Sequence, residues 1–320
     1  MPTGDRRHTT DHPEKLAAEI LEGRPAAVAR GITWCETEGE RADELLSLLP
    51  PLDVPVLGLT GPPGAGKSTL VNALVRSLRS ADRSVGVLAV DPTSPMSGGA
   101  LLGDRVRLEG AGGDPGVFFR SLASRGAQGG LSAATRRAVR VLGAAGFDEV
   151  VVETVGAGQS QVDIMRVADT VVVVLIPGAG DEMQALKAGM MEIADVFCCN
   201  KADQPGIGQL RTHLSALLRL LAHADWRPPI VETVAASGQG IPELLEAVAA
   251  HRDHLAAGSG AHRADQAVAS EVERLALATF ARAIGAERDA LLAELSAGSI
   301  SEQQAADELA RRAAKRLLSP

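Results

Sequence analysis

A glycine-rich segment at 61–69 constrains the fold of this chain more than any other feature of its sequence. It reads GPPGAGKST and fits the pattern G-x-x-x-x-G-K-[ST] through Gly61, Gly66, Lys67 and Ser68. It follows the apolar run VPVLGLT and precedes LVNALVRSL, whose apolar residues recur at helical spacing. A phosphate-binding loop needs this order of strand, loop and helix, because the loop N–H groups and the helix N-terminus surround the phosphate. The segment therefore predicts a P-loop fold.

The residues of this loop are expected to divide the contacts to a bound nucleotide. Lys67 would reach the β and γ phosphates, and the Ser68 hydroxyl would ligate magnesium. The predicted nucleotide contacts of the loop are Gly61, Pro62, Pro63, Gly64, Ala65, Gly66, Lys67, Ser68 and Thr69.

Further apolar runs predict the rest of a sheet. They lie at 84–91, 148–156, 169–178, 194–203 and 227–236. Helix-compatible stretches separate them, and β-branched residues follow one another without polar alternation. Strands of this kind are buried on both faces, which is typical of a parallel sheet covered by helices. The predicted fold class is α/β, with a doubly wound, mostly parallel sheet of the P-loop type and with helical extensions at both ends.

Four regions are expected along the chain. Residues 1–12 predict a disordered tail, and 13–50 a helical extension, interpreted as a hairpin broken near Gly23. The P-loop domain would cover 51–258, and 259–320 would form a C-terminal helical arm that also serves in dimerisation.

The C-terminal arm carries a helix start that can be read from the sequence. Ser301 and Gln304 have the spacing of a capping box. The helix that follows presents a thin alanine and leucine face, which buries little by itself. Packing on its own domain and packing on a second subunit both remain open from these residues alone.

A second motif predicts which base is bound. Asn200-Lys201-Ala202-Asp203 follows the apolar run VFCC and has the N-K-x-D sequence of the guanine-reading loop of P-loop GTPases. The Asp203 carboxylate can accept hydrogen bonds from guanine N1–H and the N2 amino group, whereas adenine presents the opposite polarity. Lys201 would lie along the base plane, and Asn200 would tie this loop to the P-loop strand.

A backbone contact to the base is expected from a third loop. Val234, Ala235 and Ala236 occupy the place where related loops carry S-A-x. The serine is absent, which removes a hydroxyl from the loop but leaves its backbone N–H groups available.

Acidic residues at two strand ends predict the magnesium side of the site. Asp91 ends one apolar run and Glu153 another, at the sheet edge where a P-loop lies. Glu153-Thr154-Val155-Gly156 takes the place of D-x-x-G, so the Gly156 N–H would contact the γ-phosphate. The glycine-rich segments 94–110 and 117–131 are expected to become ordered near the nucleotide. The residue that positions the attacking water is left open.

The composition argues against several classes of protein. A net charge of −8 and only 2% aromatic residues predict no nucleic-acid partner. No apolar run approaches the roughly 18–20 residues of a membrane span, so no membrane partner is expected. Three cysteines without zinc-type spacing favour a reducing compartment, and the predicted location is cytoplasmic.

Further segments carry a family resemblance. In chain order they are VDPTSPMSGGALLGDRVRL, VFFRSLASRG, ETVGAGQSQ, PGAGDEMQALKAGMMEIADVFCCNKAD and GQGIPELL. Together with the P-loop they resemble the MeaB/ArgK family of methylmalonyl-CoA mutase-associated GTPases, over roughly residues 13–258. That family belongs to the SIMIBI class of P-loop GTPases, which also contains the nickel chaperones of hydrogenase and urease.

The resemblance implies an activity and a partner. It implies a homodimeric, magnesium-dependent GTPase that converts GTP to GDP and phosphate and binds an adenosylcobalamin-dependent acyl-CoA mutase. Hydrolysis would be coupled to cofactor loading and to protection of the mutase. Which mutase is the client is left open.

The resemblance also implies residue roles. It places Asp104 beside Asp91 and Glu153 in the magnesium and switch apparatus, so the implied metal set is Ser68, Asp91, Asp104 and Glu153. The implied catalytic set is Lys67, Asp104 and Glu153. An additional switch that reports the nucleotide state would consist of Asp181, Glu182, Gln184 and Lys187.

Three other functions compete with this interpretation. A nickel-type metal-insertion GTPase would need soft ligands, but Cys198 and Cys199 are expected on opposite faces of a buried strand. A kinase is disfavoured because no HRD- or DFG-like set is present. A nucleotide-dependent binding module without useful hydrolysis would differ from a chaperone in showing no acceleration by any mutase.

Overall fold

The computed structural model describes most of the chain in two compact units, residues 1–260 and 261–320. Its described residues are 12–36, 39–51, 54–92, 113–124, 130–154, 163–178, 190–220, 225–259 and 301–318, with single positions at 272, 276, 279, 280, 284, 285 and 288.

A parallel sheet forms the centre of the first unit. Its strands are β1 (Val56–Thr60), β2 (Val85–Pro92), β3 (Val117–Ser124), β4 (Glu149–Thr154), β5 (Thr170–Leu175), β6 (Val196–Asn200) and β7 (Ile230–Thr233). They follow the order β3-β2-β4-β1-β5-β6-β7, and every pairing is parallel. The P-loop strand β1 therefore lies in the middle, between β4 and β5. This confirms the predicted α/β class.

Helices cover both faces of the sheet. Among the described residues of the first unit they are α1 (Pro13–Leu21), α2 (Pro25–Glu36), α3 (Glu40–Leu48), α4 (Lys67–Ser80), α5 (Gly130–Ala144), α6 (Ile207–Leu220) and α7 (Ile241–His254), with short helical turns at Ile164–Arg166, Met191–Ile193 and Leu255–Ser259. One buried cluster includes α1, α2, α3, α5 and α6, and the other includes α4 and α7. Successive strand residues enter opposite clusters, as Cys198 and Cys199 do.

The N-terminal extension differs from the hairpin that the sequence predicts. The break near Gly23 is present, but a second one precedes Glu40, so the described residues form three helices. Helical periodicity runs through this second break, which is why the pattern alone does not reveal it. Arg140 on α5 donates hydrogen bonds to the carbonyls of Leu49 (2.7 Å) and Pro50 (2.8 Å), and thereby fixes the end of the extension.

The expectation for 117–131 was wrong over its first part. Residues Val117–Ser124 form the edge strand β3, paired with β2 from Val85↔Val117 to Pro92↔Ser124. Arg120 donates to the Thr33 hydroxyl (3.2 Å) and to the Glu36 carboxylate (3.3 Å) on α2. The positive charge of Arg120, which in the sequence suggests a segment facing the nucleotide, instead joins the edge strand to helix α2.

The second unit is described chiefly through α8 (Glu302–Leu318). The Gln304 N–H donates to the Ser301 hydroxyl (3.3 Å), and the Ser301 N–H donates to the Gln304 side chain (2.9 Å). The predicted capping box is therefore present. Across the described part of the chain, no helix combines the length and apolar character that a membrane crossing requires.

A buried carboxylate at the start of β4 provides a test of the packing. Glu149 is 2% exposed and pairs with Arg83 (3.0 Å) and with Arg252 on α7 (3.0 Å). Glu149→Gln leaves both guanidinium groups without a buried anion, so we expect the free energy of unfolding to fall by about 2–3 kcal/mol. Urea denaturation measures this loss.

The matched control is Glu232→Gln, because Glu232 is exposed in its pair with Arg211 (3.3 Å). We expect this control to lose less than about 0.5 kcal/mol. Equal losses in the two variants would contradict the importance of burial at Glu149.

Candidate nucleotide-binding site

The loop between β1 and α4 needs glycine at two positions for steric reasons. Gly61 has φ +143°, and a Cβ there would lie 2.2 Å from the Val174 carbonyl oxygen of β5. Gly66 has φ +85°, and a Cβ there would lie 2.6 Å from the Asn200 side-chain nitrogen. The motif glycines therefore let the loop turn closely against β5 and against the N-K-x-D segment.

Lys67 lies inside the curve of this loop. Its side chain is buried, with 6% of the residue exposed, and Nζ donates to the carbonyls of Gly61 (2.8 Å) and Pro62 (2.9 Å). Burial lowers the pKa of Lys67, and the nearby Glu153 carboxylate acts in the opposite direction. The residue thus places a positive charge within the loop where the sequence predicts phosphate.

Ser68 and Glu153 come together beside the P-loop. The Ser68 hydroxyl donates to Glu153 Oε1 over 2.7 Å, and Glu153 is 3% exposed near the end of β4. A hydroxyl and a carboxylate are hard oxygen ligands of the kind that magnesium prefers. These two oxygen groups therefore fit the predicted magnesium position, with the Ser68 hydroxyl as the direct ligand and the Glu153 carboxylate holding that hydroxyl in place.

Asn200 joins three segments of the site through one buried side chain. Its Nδ2 donates to the Ala65 carbonyl of the P-loop (2.9 Å). Its Oδ1 accepts from the Thr233 hydroxyl (3.1 Å) and from the Ala235 N–H (3.1 Å). The sequence predicts a tie to the P-loop, and the structure adds a second tie to the end of β7.

The other two polar members of N-K-x-D lie on the same loop. Lys201 has φ +57°, and its Nζ donates to the Gly64 carbonyl (3.1 Å). The Ala202 N–H donates to the Thr233 carbonyl (3.0 Å), which holds the loop against β7. Asp203 is exposed. The loop is therefore fixed at its base, with the carboxylate that would read guanine on its outer side.

The loop after β7 is closed without the missing serine. Ser237 donates through its N–H (3.0 Å) and its hydroxyl (3.1 Å) to the Val234 carbonyl. The Val234 N–H in turn donates to the backbone carbonyl of Gln239 (3.0 Å). Because the Ala235 N–H is directed to Asn200, the Ala236 N–H is the remaining candidate of the three for the base. Thr233 was not predicted, since a single strand-end threonine has no distinctive sequence pattern.

Several of the predicted site residues lie outside the described part of the chain: Asp104, Gly156, Asp181, Glu182, Gln184 and Lys187. Asp91 is described only in its backbone, at the end of β2, one residue beyond the Val90↔Thr154 pairing. Their roles stay predictions.

The sequence matches a family model and several known proteins. The model is described as methylmalonyl-CoA mutase-associated GTPase MeaB and matches residues 28–288. A Pyrococcus abyssi protein that carries a GTPase name is 48% identical over 248 residues, covering 76% of each chain. GTPase ArgK of Escherichia coli is 35% identical and covers 72% of each. The mouse mitochondrial methylmalonic aciduria type A homolog is 34% identical over 73% of this chain and 61% of its own.

A solved structure supports the fold independently. The crystal structure of an LAO/AO transport system kinase superimposes with a TM-score of 0.68, covering 97% of this chain and 99% of that one. Its sequence is 24% identical, so the likeness is evidence for the fold alone.

The Asp203 position predicts a change of base preference. Asp203→Asn replaces one acceptor of the carboxylate by a donor, so we expect preference to move from GTP toward xanthosine triphosphate. Competition binding against a fluorescent GDP analogue measures the shift. The exposed Asp225→Asn is the matched control and should keep wild-type selectivity. Unchanged selectivity in Asp203→Asn would contradict the guanine-loop assignment.

The Lys67 position predicts a loss of turnover. Lys67→Ala removes the charged group that the P-loop motif is expected to direct at the phosphates, so phosphate release from GTP should be abolished. Circular dichroism should show an intact fold. The exposed Lys15→Ala is the control and should hydrolyse GTP normally. Retained turnover in Lys67→Ala would show that the P-loop assignment is wrong.

Proposed function

The chain belongs to the MeaB family of methylmalonyl-CoA mutase-associated GTPases, and from this membership we propose that its GTP hydrolysis serves an adenosylcobalamin-dependent acyl-CoA mutase. Hydrolysis is coupled to loading of the cofactor and to protection of the mutase. The family description and the name of the mouse relative support this partner. The observation that best supports guanine-nucleotide binding is the hydrogen bond of the Asn200 side chain to the P-loop, which holds the N-K-x-D loop against it.

In the proposed mechanism, the P-loop binds the phosphates and Lys67 supplies positive charge to the β and γ groups. Ser68 would hold magnesium directly, and Glu153, which accepts a hydrogen bond from the Ser68 hydroxyl, would orient that ligand. The metal, when bound, offsets charge that develops on the phosphate oxygens. Asp203 accepts from the guanine edge, and Lys201 and the Ala236 N–H complete the base contact.

The proposed switch links the phosphate site to the partner. Glu153 and Thr154 end β4 immediately before the segment that contains Gly156. Release of the γ-phosphate would free the Gly156 N–H and shift this segment, as in other nucleotide switches. In the proposal, Asp104 joins the metal site through the same region, and Asp181, Glu182, Gln184 and Lys187 pass the nucleotide state to the mutase.

The proposed assembly is a homodimer in the cytoplasm. The helical arm that includes α8 supplies the dimer contact in this proposal, since its narrow apolar face would bury little area alone.

The features of the cysteines do not favour metal insertion as the function. Cys35, Cys198 and Cys199 are buried, and burial raises the pKa of Cys35 and of Cys198 to about 12. A protonated buried thiol is a poor ligand for a metal in transit. Within the described ranges, no group of three or more His, Cys, Asp or Glu residues has a metal-binding arrangement.

A partner assay tests the proposed function. GTP hydrolysis is measured alone and with methylmalonyl-, isobutyryl- or ethylmalonyl-CoA mutase, each with and without adenosylcobalamin. We expect one mutase to accelerate hydrolysis and to co-purify with the chain. Lys67→Ala serves as the control for turnover by a contaminant. If no mutase changes the rate or co-purifies, the chaperone function is contradicted while the GTPase activity stands.

A further inference from the structure

A chain of buried side chains extends from β6 to the P-loop. The Cys198 Sγ and Thr233 Oγ1 atoms are 3.2 Å apart, and Thr233 Oγ1 is 3.1 Å from Asn200 Oδ1. Asn200 then reaches the Ala65 carbonyl. Cys198 and Thr233 are fully buried and Asn200 nearly so. The chain therefore runs through the interior, where water cannot replace a lost partner.

The direction of each hydrogen bond follows from its partners. The Ala65 carbonyl can only accept and the Ala235 N–H can only donate, so the Asn200 amide has one possible orientation. Its Oδ1 faces Thr233, and an amide oxygen cannot donate, so the Thr233 hydroxyl must donate its single proton there. Thr233 can then only accept from Cys198, and the thiol must donate.

The chemical state of Cys198 agrees with this direction. Burial raises the pKa of its thiol to about 12. The thiol therefore keeps its proton at neutral pH and remains a donor.

We propose that Cys198 and Thr233 are positioning residues for base recognition: their directed hydrogen bonds fix the Asn200 amide and, through it, the spacing between the guanine loop and the P-loop. The inference deepens the proposed guanine site and rests on the assignment of Asp203 to the base. It also accounts for the loop that lacks serine, because Thr233, one residue before Val234, supplies a hydroxyl from the end of the strand.

Substitution of Thr233 distinguishes a role in nucleotide recognition from a role in the stability of the fold alone. Thr233→Val keeps the shape and removes the hydroxyl, so KM for GTP and the GDP dissociation rate should rise about three- to tenfold. The preference for GTP over inosine triphosphate, which lacks the N2 amino group, should fall, while kcat changes by less than about twofold. Thr233→Ser restores the hydroxyl and should rescue all three quantities.

The control is a buried threonine away from the nucleotide site. Thr170 begins β5 and bonds to His251 (2.9 Å). Thr170→Val should lower the melting temperature without changing the GTP over inosine triphosphate preference. If Thr233→Val also changes only the melting temperature, or if Thr233→Ser fails to rescue, the positioning role is overturned.

A double-mutant cycle tests the role of the thiol. Cys198→Ala alone should raise the GDP dissociation rate about twofold, and should add no further increase in the Thr233→Val background, because its effect passes through Thr233. Additive effects would contradict a role of Cys198 that passes through Thr233. Unchanged selectivity in Asp203→Asn would instead remove the guanine assignment itself. If Asp203→Asn alters the selectivity and Thr233→Val does not, the positioning role of Thr233 and Cys198 is overturned and the guanine assignment stands.

Discussion

A single buried amide, that of Asn200, joins three segments that lie far apart in the sequence. Asn200 is the last residue of β6, at the carboxyl edge of the sheet. Its side chain donates to the Ala65 carbonyl of the P-loop and accepts from the Thr233 hydroxyl and the Ala235 N–H. Gly66 must lack a side chain because this amide occupies the space that a Cβ would need. An unpaired amide is costly in such an interior, so the three contacts hold one another in place. The segments proposed for base recognition and for phosphate binding thus share one structural element.

The two buried carboxylates of β4 lie toward opposite ends of the strand, and the parallel sheet explains why one forms stabilising ion pairs and the other lies beside the P-loop. β4 begins with Glu149, which Arg83 and Arg252 neutralise in the interior. Near its other end, Glu153 meets Ser68 beside the P-loop. The carboxyl ends of parallel strands meet at one edge, so the groups proposed to contact the nucleotide lie together there, while the amino ends can carry stabilising ion pairs.

Sequence patterns predict this fold well where a residue type has a local physical reason. The glycines, Lys67 and the N-K-x-D residues belong to short motifs, and runs of β-branched residues indicate buried strands. The pattern missed β3 because Arg120 interrupts it, and only the folded chain shows that Glu36 on α2 lies opposite this charge. Thr233 was missed for a similar reason, since its partners come from other strands and loops. Contacts of this range depend on the sheet order, which no single segment specifies.

The central claim is that Asn200 couples the two halves of the nucleotide site. Titration calorimetry of GDP binding to Asn200→Ala tests it most directly, with circular dichroism to show that the protein is folded. Loss of the buried contacts should weaken GDP affinity by more than about tenfold in a folded chain. A folded Asn200→Ala protein that binds GDP with wild-type affinity would contradict the account.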